Sequence, residues 1–233
     1  MFSADSIPKE SPLARAFEQP ATIALPQPPD SPGAALEGLF IPVPEPRAAA
    51  VVAAPHPLMG GSMESPVVGE VAWACQKAGV ASLRFNWRGV GASAGSPTDD
   101  LAVADEDFQA ALAFLGESVE APVVACGYSF GSLAAVRAAR RTPTIRRLIL
   151  VAPPTAMLES DALMGFPGEI FLAAGEADPW VDAAALGELA GQCAAARLEI
   201  IPDCDHFFMN GLDELGRGLA RWWEAGQGGP PAD

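Results

Sequence analysis

One serine, set between two glycines where an apolar strand gives way to a helix, constrains this chain more than any other feature. Val-Val-Ala-Cys at 123–126 is a short apolar run, Gly127-Tyr128-Ser129-Phe130-Gly131 follows, and an Ala-rich segment with helical character comes next. This is G-x-S-x-G in a strand–turn–helix context, the nucleophile elbow. The turn is so tight that side chains two residues either side of the serine would strike neighbouring backbone, so only hydrogen fits. In return the Ser129 hydroxyl stands above the strand end, and the Phe130 amide, at a helix N-terminus, faces any anion that develops there. With 13 serines and 23 glycines in 233 residues, chance predicts about 0.13 such matches, so the motif needs support from its surroundings.

The surroundings agree with it. Apolar strand runs at Ala49–Ala54, Val80–Phe85, Val123–Gly127, Arg147–Ala152, Ile170–Ala174 and Arg197–Ile201 alternate with helical segments. Those segments are Val67–Ala78, Asp99–Gly116, the stretch from the elbow to Arg141, Val181–Cys193, and a closing helix with Phe208, Leu212, Leu215, Leu219 and Trp222 on one face. Alternation of this kind predicts an α/β domain: a mainly parallel sheet covered by helices on both faces. Ten prolines precede Arg47, so the first strands, near Ala21–Leu25 and Ala35–Val43, should be short, edge-like or bent. A single domain over 21–226 is expected, with a loose arm at 1–20 and a loose tail at 227–233.

Charge and cysteines narrow the partners. Fourteen basic against 29 acidic side chains give a formal charge of −15, which repels phosphate backbones and anionic lipid. Neither nucleic acid nor a membrane is therefore expected as a partner. No apolar run reaches membrane-spanning length, and Met1-Phe2-Ser3-Ala4-Asp5 lacks a basic region followed by an apolar core, so no secretory signal is expected. The basic group Arg137, Arg140, Arg141, Arg146 and Arg147 reads as a solvated helix end rather than an anion site. Cys75, Cys126, Cys193 and Cys204 show no metal spacing, so reduced thiols, a cytoplasmic location and no metal or cofactor are expected.

A serine hydroxyl needs a base in hydrogen-bond reach, and the chain has only two histidines. His206 follows the last strand on the edge where Ser129 stands; His56 follows the Ala49–Ala54 strand. An orienting carboxylate should come from the strand end between Ser129 and His206, and Asp178 fits best, ahead of Glu176, Asp182 and Asp205. Ser129, Asp178 and His206 then run in the order expected when the elbow heads a triad. Tyr128, Phe130, Trp87, Trp180 and Phe207 are candidates for apolar walls of a substrate pocket. Gly89-Val90-Gly91-Ala92-Ser93-Ala94 matches a dinucleotide fingerprint, but Gly95-Ser96-Pro97 interrupts before the next helix, so a tight loop with Arg88 held by polar neighbours is expected instead.

Taken together, these segments resemble the α/β-hydrolases, and most closely the small, cap-free bacterial hydrolases similar to dienelactone hydrolases and serine aminopeptidases. Pro55–Met63, Arg84–Gly95, the elbow, Gly175–Asp178 and Asp205–Phe208 carry the likeness. The resemblance implies an α/β-hydrolase fold. The triad points to hydrolysis of a small-molecule carboxylic ester through an acyl-enzyme, with a thioesterase, peptidase or acyltransferase, or a non-catalytic binding protein on the same fold, as the alternatives. The resemblance also implies that the loop after Ala49–Ala54 supplies a second oxyanion-hole amide beside Phe130. Pro57 has no N–H, which leaves His56, favoured if Ala54-Pro55 takes the usual His-Gly position, or Leu58. Only 17 residues, Pro153–Glu169, stand where many relatives insert a cap, so an open site is expected.

Overall fold

The computed structural model describes residues 18–26 and 33–226. They form one eight-stranded sheet. In chain order the strands are β1 (Gln19–Ala24), β2 (Ala35–Ile41), β3 (Ala48–Ala53), β4 (Val80–Phe85), β5 (Val123–Tyr128), β6 (Arg147–Val151), β7 (Glu169–Gly175) and β8 (Ala196–Ile201). Across the sheet the order is β1-β2-β4-β3-β5-β6-β7-β8, with β1 and β2 antiparallel and every pair from β4 to β8 parallel. Strands β3 and β4 are buried along their whole length; β3 accordingly reads as an unbroken apolar run, while β4 carries the buried Ser82 and Arg84 among its apolar residues.

Among the described residues six α-helices cover the sheet: α1 (Pro66–Lys77), α2 (Leu101–Ser118), α3 (Phe130–Arg141), α4 (Ser160–Met164), α5 (Ala183–Gln192) and α6 (Leu212–Ala225). Helices α1 and α6 pack on each other over one face, while α2, α3, α4 and α5 contact one another in sequence over the other. No helix among the described residues is long and apolar enough to cross a membrane. Between β6 and β7 lie only one 3-10 turn, Thr155–Met157, and the five-residue α4, so no cap among the described residues covers the sheet edge.

Several details depart from the sequence reading. Gln19 and Pro20, assigned to the arm, pair with Phe40 and Leu39 in β1, an edge strand where a missing N–H is tolerated. The rest of that arm up to residue 17, and the tail 227–233, lie outside the described residues. Phe208 does not belong to the closing helix: its φ is +57°, it is buried, and α6 begins only at Leu212. Nor is the arginine cluster simply solvated. Arg137 and Arg141 close on the buried Asp105 of α2, Arg137 and Arg140 on Glu159, and Arg147 on Glu169. Its cations hold α2, α3 and the segment before α4 together.

The G-x-G-x-x-A stretch is a loop, with α2 starting only at Leu101. There Arg88 is tied to α2: its backbone N–H donates to Asp107 Oδ2 (3.0 Å) and its guanidinium pairs with Asp107 (2.5 Å) and Glu106 (2.6 Å). The four cysteines are free thiols.

Candidate active site

Ser129 sits between β5 and α3 with φ +53° and ψ −119°, a conformation that L-residues adopt only under constraint. The two glycines make it possible. A Cβ on Gly127 would overlap the Gly131 carbonyl, and one on Gly131 would lie 2.5 Å from Ala53 O and 2.6 Å from Ala54 O. The Ser129 N–H is anchored to Val151 O at 2.8 Å, which ties the turn to the neighbouring β6.

His206 comes from the loop after β8, three strand spacings from β5, roughly 14 Å at the usual interstrand distance. Two features bring it back. The loops after β7 and β8 are laced by Glu176 N–H to Ile201 O and Ala177 N–H to Cys204 O, both 2.9 Å. The Tyr128 hydroxyl, next to Ser129, then donates to the His206 carbonyl at 2.9 Å. Burial, and after it the negative charge of Asp178 and Asp205, pushes the Tyr128 phenol well up, so it stays a donor.

The outcome is a chain of contacts. Ser129 Oγ lies 3.0 Å from His206 Nε2, and His206 Nδ1 lies 2.7 Å from Asp178 Oδ2. A carboxylate at that distance accepts, so the proton is assigned to Nδ1 and the Nε2 lone pair faces the hydroxyl. Asp178 Oδ1 accepts from the Trp180 N–H at 2.9 Å, and the Asp178 side chain is fully removed from solvent. The other carboxylates are engaged elsewhere or exposed. Asp182 caps α5, Asp205 Oδ1 accepts from the N–H groups of Phe207 and Met209, and Glu176 is exposed. Cys204, buried nearby, has its thiol pushed up to about 11 by burial and by Asp205 and Asp178, so it remains protonated and a poor nucleophile.

Two backbone amides are the candidates for holding an anion at Ser129. Phe130 N–H opens α3, where first-turn donors have no partner within the helix. Of the two donors on the β3 loop, Leu58 N–H is taken by His56 Nδ1 at 3.2 Å, whereas His56 N–H has no acceptor among the described residues.

A family model described as "Serine aminopeptidase, S33" matches residues 46–168, more than half of the chain. The chain belongs to that family. Within it the protein is an α/β hydrolase without a lid. It is similar to a lid-less α/β serine hydrolase of Xanthomonas campestris (27% identity, 92% of this chain and 97% of that one, TM-score 0.76). An α/β serine hydrolase homologue from Coxiella burnetii is similar too (26% identity, 87% and 96%, TM-score 0.76). An uncharacterized protein of Rickettsia prowazekii is 27% identical over 203 residues, covering 82% of this chain and 84% of its own.

In this S33-family member a cavity of about 540 Å³ opens over Ser129 and His206. Sheet order sets its two sides, because β5 lies between β3 and β6. The β3 loop supplies His56, Met59 and a polar stretch around Ser62–Ser65; the loops after β6, β7 and β8 supply Pro154, Met157, Trp180 and Phe207. Tyr128, Phe130 and Leu133 form part of the wall between them. Trp87, expected as a wall, is not one. It is buried against Phe85 and Phe130 (ring centroids 4.8 and 5.7 Å), and its Nε1–H donates to Ala54 O (3.0 Å) and Pro55 O (3.2 Å). An indole N–H seeks buried acceptors, and the bend after β3 presents two. Met59, Leu133, Pro154 and Met157 are walls that the sequence does not single out; position after a strand end is the only signal pointing to three of them.

Proposed function

We propose that the protein hydrolyses carboxylic esters through a Ser129–His206–Asp178 triad and an acyl-enzyme. His206 Nε2 takes the hydroxyl proton as Ser129 Oγ bonds to the ester carbonyl carbon, and the oxygen becomes an anion held by the N–H groups of Phe130 and His56. Collapse breaks the carbon–alkoxy bond, and the leaving alcohol takes the proton from Nε2. Water then gives a proton to Nε2, its oxygen bonds to the acyl carbon, and release of the carboxylic acid returns the proton to Ser129. Asp178 holds the ring tautomer throughout. Acyl substrate and water suffice, so no cofactor, metal, nucleic acid or membrane enters the reaction; reduced thiols fit a cytoplasmic setting.

The observation that carries this reading is the unbroken 3.0 and 2.7 Å chain from hydroxyl to buried carboxylate. The family description supports a second reading, amide cleavage, in which the same Nε2 must protonate an amine. Thioester cleavage and acyl transfer share the first half-reaction, and a panel of esters, thioesters and peptides separates them all. The deciding test is labelling with a fluorophosphonate. Wild type should label and Ser129→Ala should not; a folded wild type that stays unlabelled makes the site a binding site without an activated serine.

The same reading gives Trp87 a positioning task. Trp87→Phe keeps a ring beside Phe130 and removes the donor that shapes the Ala54–His56 bend. Loss of about one hydrogen bond's free energy from that support, ~1–1.5 kcal/mol, should lower kcat for an ester about ten-fold. KM should change less than about three-fold, because the amide acts on the anion rather than on the bound ester.

A further inference from the structure

Among the described residues, six large hydrophobic side chains are substantially exposed: Leu58, Met59, Met157, Trp180, Phe207 and Met209, from 45% for Trp180 to 77% for Met209. All six stand on the carboxyl edge of the sheet. Leu58 and Met59 follow β3, Met157 follows β6, Trp180 follows β7, and Phe207 and Met209 follow β8. Four of them line the cavity over Ser129, and the other two are near neighbours in the chain. Exposed apolar side chains scattered singly over a surface carry no message, but their confinement to the mouth of one cavity does. Three are methionines, whose flexible side chains fit apolar groups of differing shape.

The charges of the cavity point the same way. None of its walls among the described residues is Lys or Arg, and its one acidic wall is Glu64, 3.4 Å from Arg84. Arg84 is itself bonded to Glu18 at 2.7 Å and to Met63 O at 2.6 Å, so little positive charge is left to reach the cavity. Asp178 adds a buried negative charge behind His206, and the whole chain carries −15. A substrate with its own carboxylate therefore meets like charge and finds no cation to receive it.

We infer that the acyl group this site selects is apolar, uncharged and of medium length, held against the Met59–Met157–Trp180–Phe207 rim, and that acyl groups ending in a carboxylate are rejected. The inference rests on the ester-hydrolase reading and adds the substrate class to it. Repulsion by the same charges speeds departure of the carboxylate product.

The test compares 4-nitrophenyl acetate, hexanoate and octanoate with the mono-4-nitrophenyl ester of adipic acid, whose acyl chain matches hexanoate apart from its charge. A half-buried methylene gives roughly a two-fold gain, so kcat/KM should rise at least ten-fold from acetate to octanoate. The adipate ester should fall at least ten-fold below hexanoate, with the gap narrowing in 0.5 M salt as the charges are screened. Met157→Ser should flatten the chain-length slope, and Glu64→Lys should shrink the hexanoate-to-adipate ratio about five-fold or more. Equal kcat/KM for acetate and octanoate, or an adipate ester turned over as fast as hexanoate, overturns the inference while leaving the hydrolase reading intact. Absence of both turnover and fluorophosphonate labelling overturns the two together.

Discussion

His206→Ala should lower kcat/KM for a carboxylic ester by about 10⁴- to 10⁶-fold, and Asp178→Asn by about 10³- to 10⁴-fold. The order of the two effects follows from where each side chain stands. Among the described residues, His206 Nε2 is the basic atom within hydrogen-bond distance of Ser129 Oγ, so without it the hydroxyl keeps its proton through the attack. On the proposed mechanism the amides of Phe130 and His56 remain and should sustain a residual rate over water. Asp178 acts one step back, on Nδ1 at 2.7 Å. An amide there can offer its NH₂ to Nδ1, which moves the ring proton to Nε2 and turns the base into a donor facing Ser129. Asp178→Asn should also be the gentler fold perturbation, since its amide oxygen can still accept from the Trp180 N–H. The measurement is steady-state ester hydrolysis with thermal unfolding of each variant alongside. If His206→Ala retained even a tenth of wild-type turnover with an unchanged Tm, the base would have to be some other group, and the triad mechanism would fall.

Why the juxtaposition of these residues is legible in the sequence is a matter of topology. In a parallel sheet every strand delivers its following loop to one edge, so Ser129 after β5, Asp178 after β7 and His206 after β8 share that edge once the strands are recognised. With two histidines in the chain there is little to confuse the choice. What escapes depends on tertiary partners with no periodic signature. The spacing of Phe208 with Leu212, Leu215 and Leu219 fits a helix, but Asp205 Oδ1 captures the N–H groups of Phe207 and Met209 and turns the chain first. Asp105 lies within the helical stretch carrying Ala104 and Phe108, and nothing in its neighbours reveals that Arg137 and Arg141 will close on it. Trp87 has the composition of a pocket wall, yet two carbonyls after β3 claim its N–H and draw it beneath the loop. Side-chain chemistry shows what each residue can do; only the packing determines which partner it meets.

Gly131→Ala should cost about 2 kcal/mol of stability, roughly 4–8 °C in Tm, and lower kcat about 100-fold besides. The new methyl carbon would sit 2.5 Å from Ala53 O and 2.6 Å from Ala54 O, both backbone atoms at the end of a fully buried strand. Neither can rotate away as a flexible side chain would, so relief requires α3 to lift from β3. Overpacking of this kind costs up to about 3 kcal/mol, against which an alanine at the second position of α3 recovers at most about 1 kcal/mol of propensity. The activity loss is separate from the stability loss. Lifting α3 moves the Phe130 amide and Ser129 Oγ away from His56 and the Ala54–Pro55 bend, and a misplacement near 1 Å suffices for a hundred-fold effect. Gly116→Ala is the matched control: it lies in α2 with nothing within 4 Å of its added Cβ. That variant should gain about 0.5–1 kcal/mol. Thermal unfolding and ester turnover of the pair read both effects. A Gly131→Ala protein as stable and as active as Gly116→Ala would mean that the elbow does not need its close approach to β3, and that steric crowding is not the reason glycine stands two residues after Ser129.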